Sequence, residues 1–130
     1  MVKADVRVIY GDTDQMGVVY YANYLRYFEI GRNEYLRACG ARYRDIEAKY
    51  RMLLPVVDAQ VSYKNPARYD DLIEVQTTVA RIGRASIRFE YQIFRDQTLL
   101  VAGHTVHACL GPDASVMPLP AEVVALLKGP

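Results

Sequence analysis

Ser86-Ile87-Arg88-Phe89-Glu90-Tyr91-Gln92-Ile93 alternates without a break, with Ile87, Phe89, Tyr91 and Ile93 on one side and Ser86, Arg88, Glu90 and Gln92 on the other. Successive side chains of a strand point to opposite faces, so the stretch reads as a strand with one buried and one wet face. Working outward, the strand runs over 85–94 and its neighbours over 72–82 and 99–110, joined by hairpin turns at Gly83-Arg84 and Asp96-Gln97. Upstream, Val57, Ala59, Val61 and Tyr63 keep period two as far as Lys64-Asn65-Pro66. A first strand over 5–10 sets Val6, Val8 and Tyr10 against Asp5, Arg7 and Ile9 and stops at Gly11-Asp12-Thr13-Asp14.

Between the first two strands the period changes. From about Tyr21, the residues Tyr24, Leu25, Phe28, Tyr35 and Leu36 form an apolar stripe, and Arg26, Glu29, Asn33 and Arg37 form a wet face. Gly40 suits the C-cap of this helix. A shorter helix follows over 43–50, and a last one over 120–128 begins at a proline and ends at a lysine. One strand, one long helix and four successive strands imply an α+β domain, residues 1–130, whose largely antiparallel sheet covers its apolar face with the long helix.

The composition narrows the function. With 130 residues, 52% of them hydrophobic and 24% charged, the chain has the size and core of one folded domain. Lys+Arg 16 against Asp+Glu 15 leaves a net charge of +1, so no overall field draws the chain to nucleic acid or an anionic membrane. Twelve of the sixteen basic residues are Arg, the side chain suited to bidentate recognition of phosphate or carboxylate. Cys39 and Cys109 have no C-x-x-C spacing, which favours a reducing cytoplasm over a disulfide framework or a zinc site. The N-terminus lacks an apolar leader and no long apolar run follows, so neither export nor membrane spanning is expected.

Chemistry concentrates in the loop from Tyr10 to Tyr21, where Asp12 and Asp14 lie between Gly11 and Gly17. On spacing alone both carboxylates read first as turn or cap acceptors, although a loop between a strand and a helix can also hold an active site. An EF-hand reading fails because counting from Asp12 puts Met16 and Asn23 where ligands are required. No G-x-S-x-G elbow, phosphate-binding glycine loop or H-E-x-x-H is present. His104 and His107 are three apart in a strand and should face opposite ways, so they read as structural and no metal site is expected. Seven of the eleven tyrosines fall within 20–50, at spacings that suit a core.

The run Tyr10-Gly-Asp-Thr-Asp-Gln-Met-Gly-Val-Val-Tyr-Tyr-Ala-Asn-Tyr24, continuing to Phe28-Glu29-x-x-Arg32, resembles the opening of the 4-hydroxybenzoyl-CoA thioesterase family of hotdog-fold acyl-CoA thioesterases. Tyr63-Lys-Asn-Pro66-Ala67-Arg-Tyr69-Asp70-Asp71, followed by Ile73 and Val75, resembles that family's second signature. The resemblance implies a long central helix wrapped by an antiparallel β-sheet, and a homodimer or homotetramer with active sites between subunits. It also implies that Asp14 is the catalytic carboxylate and the Tyr21 backbone N–H the oxyanion donor. In the Tol-Pal-associated branch the position of Tyr21 is commonly His; Tyr21 retains the backbone donor without an imidazole.

The expected activity is therefore hydrolysis of an acyl-CoA thioester, with CoA or acyl carrier protein as the carrier and no cofactor. An ionised Asp14 would attack the carbonyl or deprotonate a water that does so. Arg81 and Arg84, which bracket the hairpin glycine, are the expected contacts to the CoA phosphates. Two other readings stand beside it: a hydratase or dehydratase on acyl thioesters with His104 or His107 as base, and a non-catalytic acyl-CoA binding module.

Overall fold

The computed structural model describes residues 1–130, in the order β1 (Val2–Arg7), a 3-10 turn (Tyr10–Asp12), α1 (Asn23–Ala38), α2 (Tyr43–Tyr50), β2 (Val56–Tyr63), β3 (Leu72–Ile82), β4 (Ser86–Arg95), β5 (Thr98–Ala108) and α3 (Ala121–Leu127). The strands form one antiparallel sheet in the order β1-β3-β4-β5-β2. The α+β arrangement expected from the alternation at 86–93 is present. Ile87, Phe89, Tyr91 and Ile93 are all buried, while the other face of β4 is polar.

The long helix α1 lies on the apolar face and packs chiefly against β1, β3 and β4. Phe28 stacks on Tyr91 with ring centroids 4.2 Å apart and planes 6° apart. Two glycines allow this approach. A Cβ on Gly31 would lie 2.7 Å from Val75 Cγ1, and one on Gly103 would lie 2.9 Å from the Phe28 ring, both closer than van der Waals contact. Gly40 ends α1 with φ +92°, in the left-handed region that favours glycine, while Ala41 N–H returns to Leu36 O.

Three expectations change. The first strand stops at Arg7, not Tyr10, because the Asp12 N–H turns back to Ile9 O and Thr13 bonds Tyr10 O through both its N–H and its hydroxyl. Tyr10 is thereby left 76% exposed. On α1 the buried stripe is Tyr24, Tyr27, Phe28, Gly31, Tyr35 and Leu36, so Tyr27 enters the core and Leu25 remains 40% exposed. The helix also begins at Asn23, with Ala22 at the N-cap, so Tyr21 precedes it.

The second strand is present where expected, as β2. Its Val57, Ala59, Val61 and Tyr63 alternate as a half-buried strand should, yet most of β2 is exposed, with Val57 at 62%. Its place at the sheet edge, beside β5 alone, leaves it beyond the main footprint of α1.

Candidate active site

The loop between the 3-10 turn and α1 is built on backbone hydrogen bonds. Thr13 bridges to Val19, Asp14 N–H donates to Val18 O, and Gly17, with φ +77°, donates back to Asp14 O. The second signature segment supports it from below: Val19 N–H donates to Ala67 O, and Ala67 N–H donates to Tyr24 Oη at 3.2 Å. That segment is pinned by Asp71, whose carboxylate accepts from Arg68 N–H and from Arg95 Nη1, each at 2.8 Å. Partial burial opposes ionisation of Asp71, but these two donors and the arginine charges hold its pKa below the ordinary value. The two sequence motifs are thus two halves of one scaffold.

Within the loop the two carboxylates do different work. Asp12 is 5% exposed, and its oxygens accept hydrogen bonds from Arg26 Nη1 at 3.0 Å and Tyr27 Oη at 2.8 Å. Burial, then the bond to Asp12, pushes the Tyr27 phenol far above its ordinary pKa, so it remains the donor. Asp12 therefore anchors the loop to α1. Asp14 turns the other way: Oδ1 accepts the Met16 N–H at 2.9 Å, and Oδ2 bonds to no group of the protein. This carboxylate lines a cavity of about 260 Å³ together with Val18, Tyr21, Tyr24, Tyr63 and Pro66.

Tyr21 shares that cavity, and its backbone N–H donates to no group of the protein. Its carbonyl accepts a 3.0 Å hydrogen bond from Tyr63 Oη, which fixes the orientation of the peptide on one side. Tyr63 entered the sequence reading only as a strand residue and the start of the second signature, and Tyr27 was not singled out, although each bonds to the segment Asp12–Tyr21. Tyr27 falls on the same helical spacing as Tyr24, Phe28 and Tyr35, which was the available signal.

Other residues singled out in the sequence lie elsewhere. Arg81 and Arg84 sit at the β3–β4 hairpin, whereas Asp14 is near the end where Arg7 pairs with Leu72. The 11 residues of β3 separate those ends by about 35 Å, so one chain does not bring them together. His104 faces away from α1, within 3.1 Å of Asp58 Oδ2 and 3.3 Å of Arg88 Nη2. His107 points inward and is 2% exposed. Its Nδ1–H donates to Leu54 O at 2.9 Å, so Nε2 accepts from Thr105 Oγ1, which accepts in turn from Tyr91 Oη. Neither histidine reaches the Asp14 cavity. Cys39 and Cys109 are free thiols, both with pKa raised by burial, and no three His, Cys, Asp or Glu side chains gather as a set of metal ligands.

Residues 8–127 match the thioesterase-like superfamily. The chain is 35% identical over 125 residues to the acyl-CoA thioester hydrolase YbgC of Escherichia coli O6:H1, covering 95% of this chain and 92% of that protein. It is 36% identical over 105 residues to the acyl-CoA thioesterase YbgC of Haemophilus influenzae, covering 81% and 77% of the two chains. Among solved structures, the DHNA-CoA thioesterase of Staphylococcus aureus superposes with a TM-score of 0.84 at 30% identity, covering 93% of this chain and 80% of that one.

Proposed function

Because the chain belongs to the thioesterase-like superfamily and has the hotdog fold, we propose that it hydrolyses acyl-CoA thioesters with Asp14 as the reacting carboxylate. The curated relatives are acyl-CoA thioester hydrolases, and the chain is a thioester hydrolase of the same kind. The observation that carries the residue assignment is the cavity lined by both Asp14, which has a carboxylate oxygen without a protein partner, and Tyr21, whose backbone N–H has no protein acceptor. A thioester carbonyl accepting from Tyr21 N–H would present its carbon to Asp14 Oδ2. As the tetrahedral centre forms, the N–H stabilises the charge on oxygen, a contribution of about 3 kcal/mol for one such donor. The C–S bond then breaks and the thiolate takes a proton. Attack by Asp14 itself forms a mixed anhydride that water opens; attack by a water that Asp14 deprotonates yields the acid directly.

The working unit in this reading is a homodimer of hotdog domains joined through β2. This edge strand is mostly exposed and carries Val56, Val57, Ala59, Val61 and Tyr63, whereas the other edge, β1, points Lys3, Asp5 and Arg7 outward. An exposed apolar edge is a template for pairing. A two-fold axis normal to the sheet pairs the two β2 strands antiparallel and keeps both α1 helices on one face. It also brings the hairpin end of one subunit beside the Asp14 loop of the other, so Arg81 and Arg84 would meet CoA phosphates in trans. No helix is long and apolar enough to cross a membrane, and two free thiols fit a reducing cytoplasm.

The reading is tested by following free-thiol release from benzoyl-, short-chain and long-chain acyl-CoA. Release from at least one is expected. Tight acyl-CoA binding without release from any would instead make the protein a binding module.

A further inference from the structure

The N–H that a thioester carbonyl would meet is one end of a rigid unit. A peptide group is planar, so the Tyr21 N–H and the Tyr20 carbonyl move together, and whatever holds Tyr20 O aims Tyr21 N–H. Tyr20 O accepts the backbone N–H of Asn23 at 2.9 Å, and the next peptide is held through Tyr21 O by Tyr63 Oη at 3.0 Å. A hydrogen bond accepted at the carbonyl also polarises the peptide and strengthens its N–H as a donor.

Asn23 reaches this unit a second time. Its side-chain Nδ2 donates to Asp12 O at 2.9 Å, and the same oxygen accepts the Tyr20 N–H at 2.9 Å. Asp12 O can only accept, so the atom of Asn23 that faces it is the amide nitrogen. Residues 20 and 23 are thereby tied to one atom of the segment that leads, two residues on, to Asp14. The carboxylate and the N–H that would act on one carbonyl share a clamp, and Asn23 closes it with both its main chain and its side chain.

The ordinary use of asparagine at a helix start does not account for this residue. Ala22 is the N-cap of α1, so Asn23 is the first helical residue, and no side chain caps the helix. Asparagine also has a lower helix propensity than Ala, Glu or Gln. An aspartate of the same size would gain from the helix dipole, yet the first turn of α1 holds no acidic residue. Aspartate would set acceptor against acceptor at Asp12 O and bring a negative charge near the oxygen on which charge develops. Asparagine supplies a donor at this reach without that charge. We propose that Asn23 is a positioning residue for the hydrolysis: it fixes the Tyr20–Tyr21 peptide relative to Asp14, so that the Tyr21 N–H points at the carbonyl oxygen as the tetrahedral centre forms. This inference rests on the thioesterase reading.

The experiment measures kcat and KM for the best acyl-CoA substrate in Asn23→Ala and Asn23→Asp. Asn23→Ala keeps the backbone bond to Tyr20 O and favours the helix but removes the side-chain donor to Asp12 O. It should lower kcat by about tenfold with KM within about threefold of the wild type, and Asn23→Asp should lower kcat by about a hundredfold. If the aspartate variant does not fold, the alanine variant carries the test. A second readout comes from the thioester carbonyl itself, with an isotope-labelled substrate bound to Asp14→Asn protein. Its infrared carbonyl band should move to lower frequency on binding, and adding Asn23→Ala should remove most of that shift. A folded Asn23→Ala protein with wild-type kcat, a loss confined to KM, or a carbonyl band that Asn23→Ala leaves unchanged would overturn the proposal while wild-type hydrolysis still stood. No hydrolysis of any acyl-CoA by the wild-type protein would instead remove the thioesterase reading beneath it.

Discussion

Asp12 Oδ2 accepts a hydrogen bond from Tyr27 Oη at 2.8 Å, while Asp14, two residues later, turns its carboxylate to the cavity. One acidic residue thus holds the loop to α1 and leaves the other available for chemistry. Tyr27→Phe should remove one of the two side-chain donors to the Asp12 carboxylate and destabilise the protein by roughly 1–3 kcal/mol. Urea unfolding checks this, with a lower midpoint and an unchanged slope as the expected result.

Gly31 and Gly103 set how closely α1 approaches the sheet. A Cβ at Gly31 would press on Thr77 Oγ1 and Val75, and one at Gly103 on Gln60 O and the Phe28 ring. Gly31→Ala and Gly103→Ala should each cost about 1–3 kcal/mol, with the loss read from thermal or urea unfolding.

His107 makes stability depend on pH. Burial, outweighing the bond to Leu54 O, depresses its pKa below the ordinary 6.5, with the Arg32 charge adding to the depression. The folded state therefore binds fewer protons than the unfolded chain as pH falls below that value. The stability contributed by the neutral ring is full above about pH 6.5 and is lost as pH falls toward the folded pKa. Unfolding free energies measured between about pH 7.5 and about pH 5 should fall toward acid, with a flatter profile in His107→Gln.

Val57 is 62% exposed on an edge strand, which the β2 dimer would cover. Val57→Asp should shift the protein toward monomer in light scattering at micromolar concentration, because it puts a carboxylate into the paired edge of each subunit. A wild-type protein that is itself monomeric would contradict the dimer.

The sheet and long helix were legible because each has one buried face, and β4 displays it in strict alternation. In β2 the same pattern located the strand but not its exposure, since alternation records that a face is apolar and not whether anything covers it. Helix α1 was placed slightly early because Ala22 at its N-cap has no side-chain acceptor to mark the boundary. Asp14 could be singled out only through the family resemblance, because what separates it from Asp12 is contributed by Arg26 and Tyr27 inside α1. The cavity of about 760 Å³ beneath the C-terminal half of α1 had no local signature at all. It exists because the fold brings α1, α2, α3 and the inward face of β5 together.

The central claim is tested most directly by thiol release from the best acyl-CoA substrate, compared between the wild-type protein and folded Asp14→Asn. The amide in that variant would keep an oxygen for the Met16 N–H but could neither attack the thioester as a carboxylate nor take a proton from water. Turnover in the wild type, with a loss of about a hundredfold or more in the variant at equal thermal stability, is the predicted result. A folded Asp14→Asn protein that turns over at the wild-type rate would contradict it.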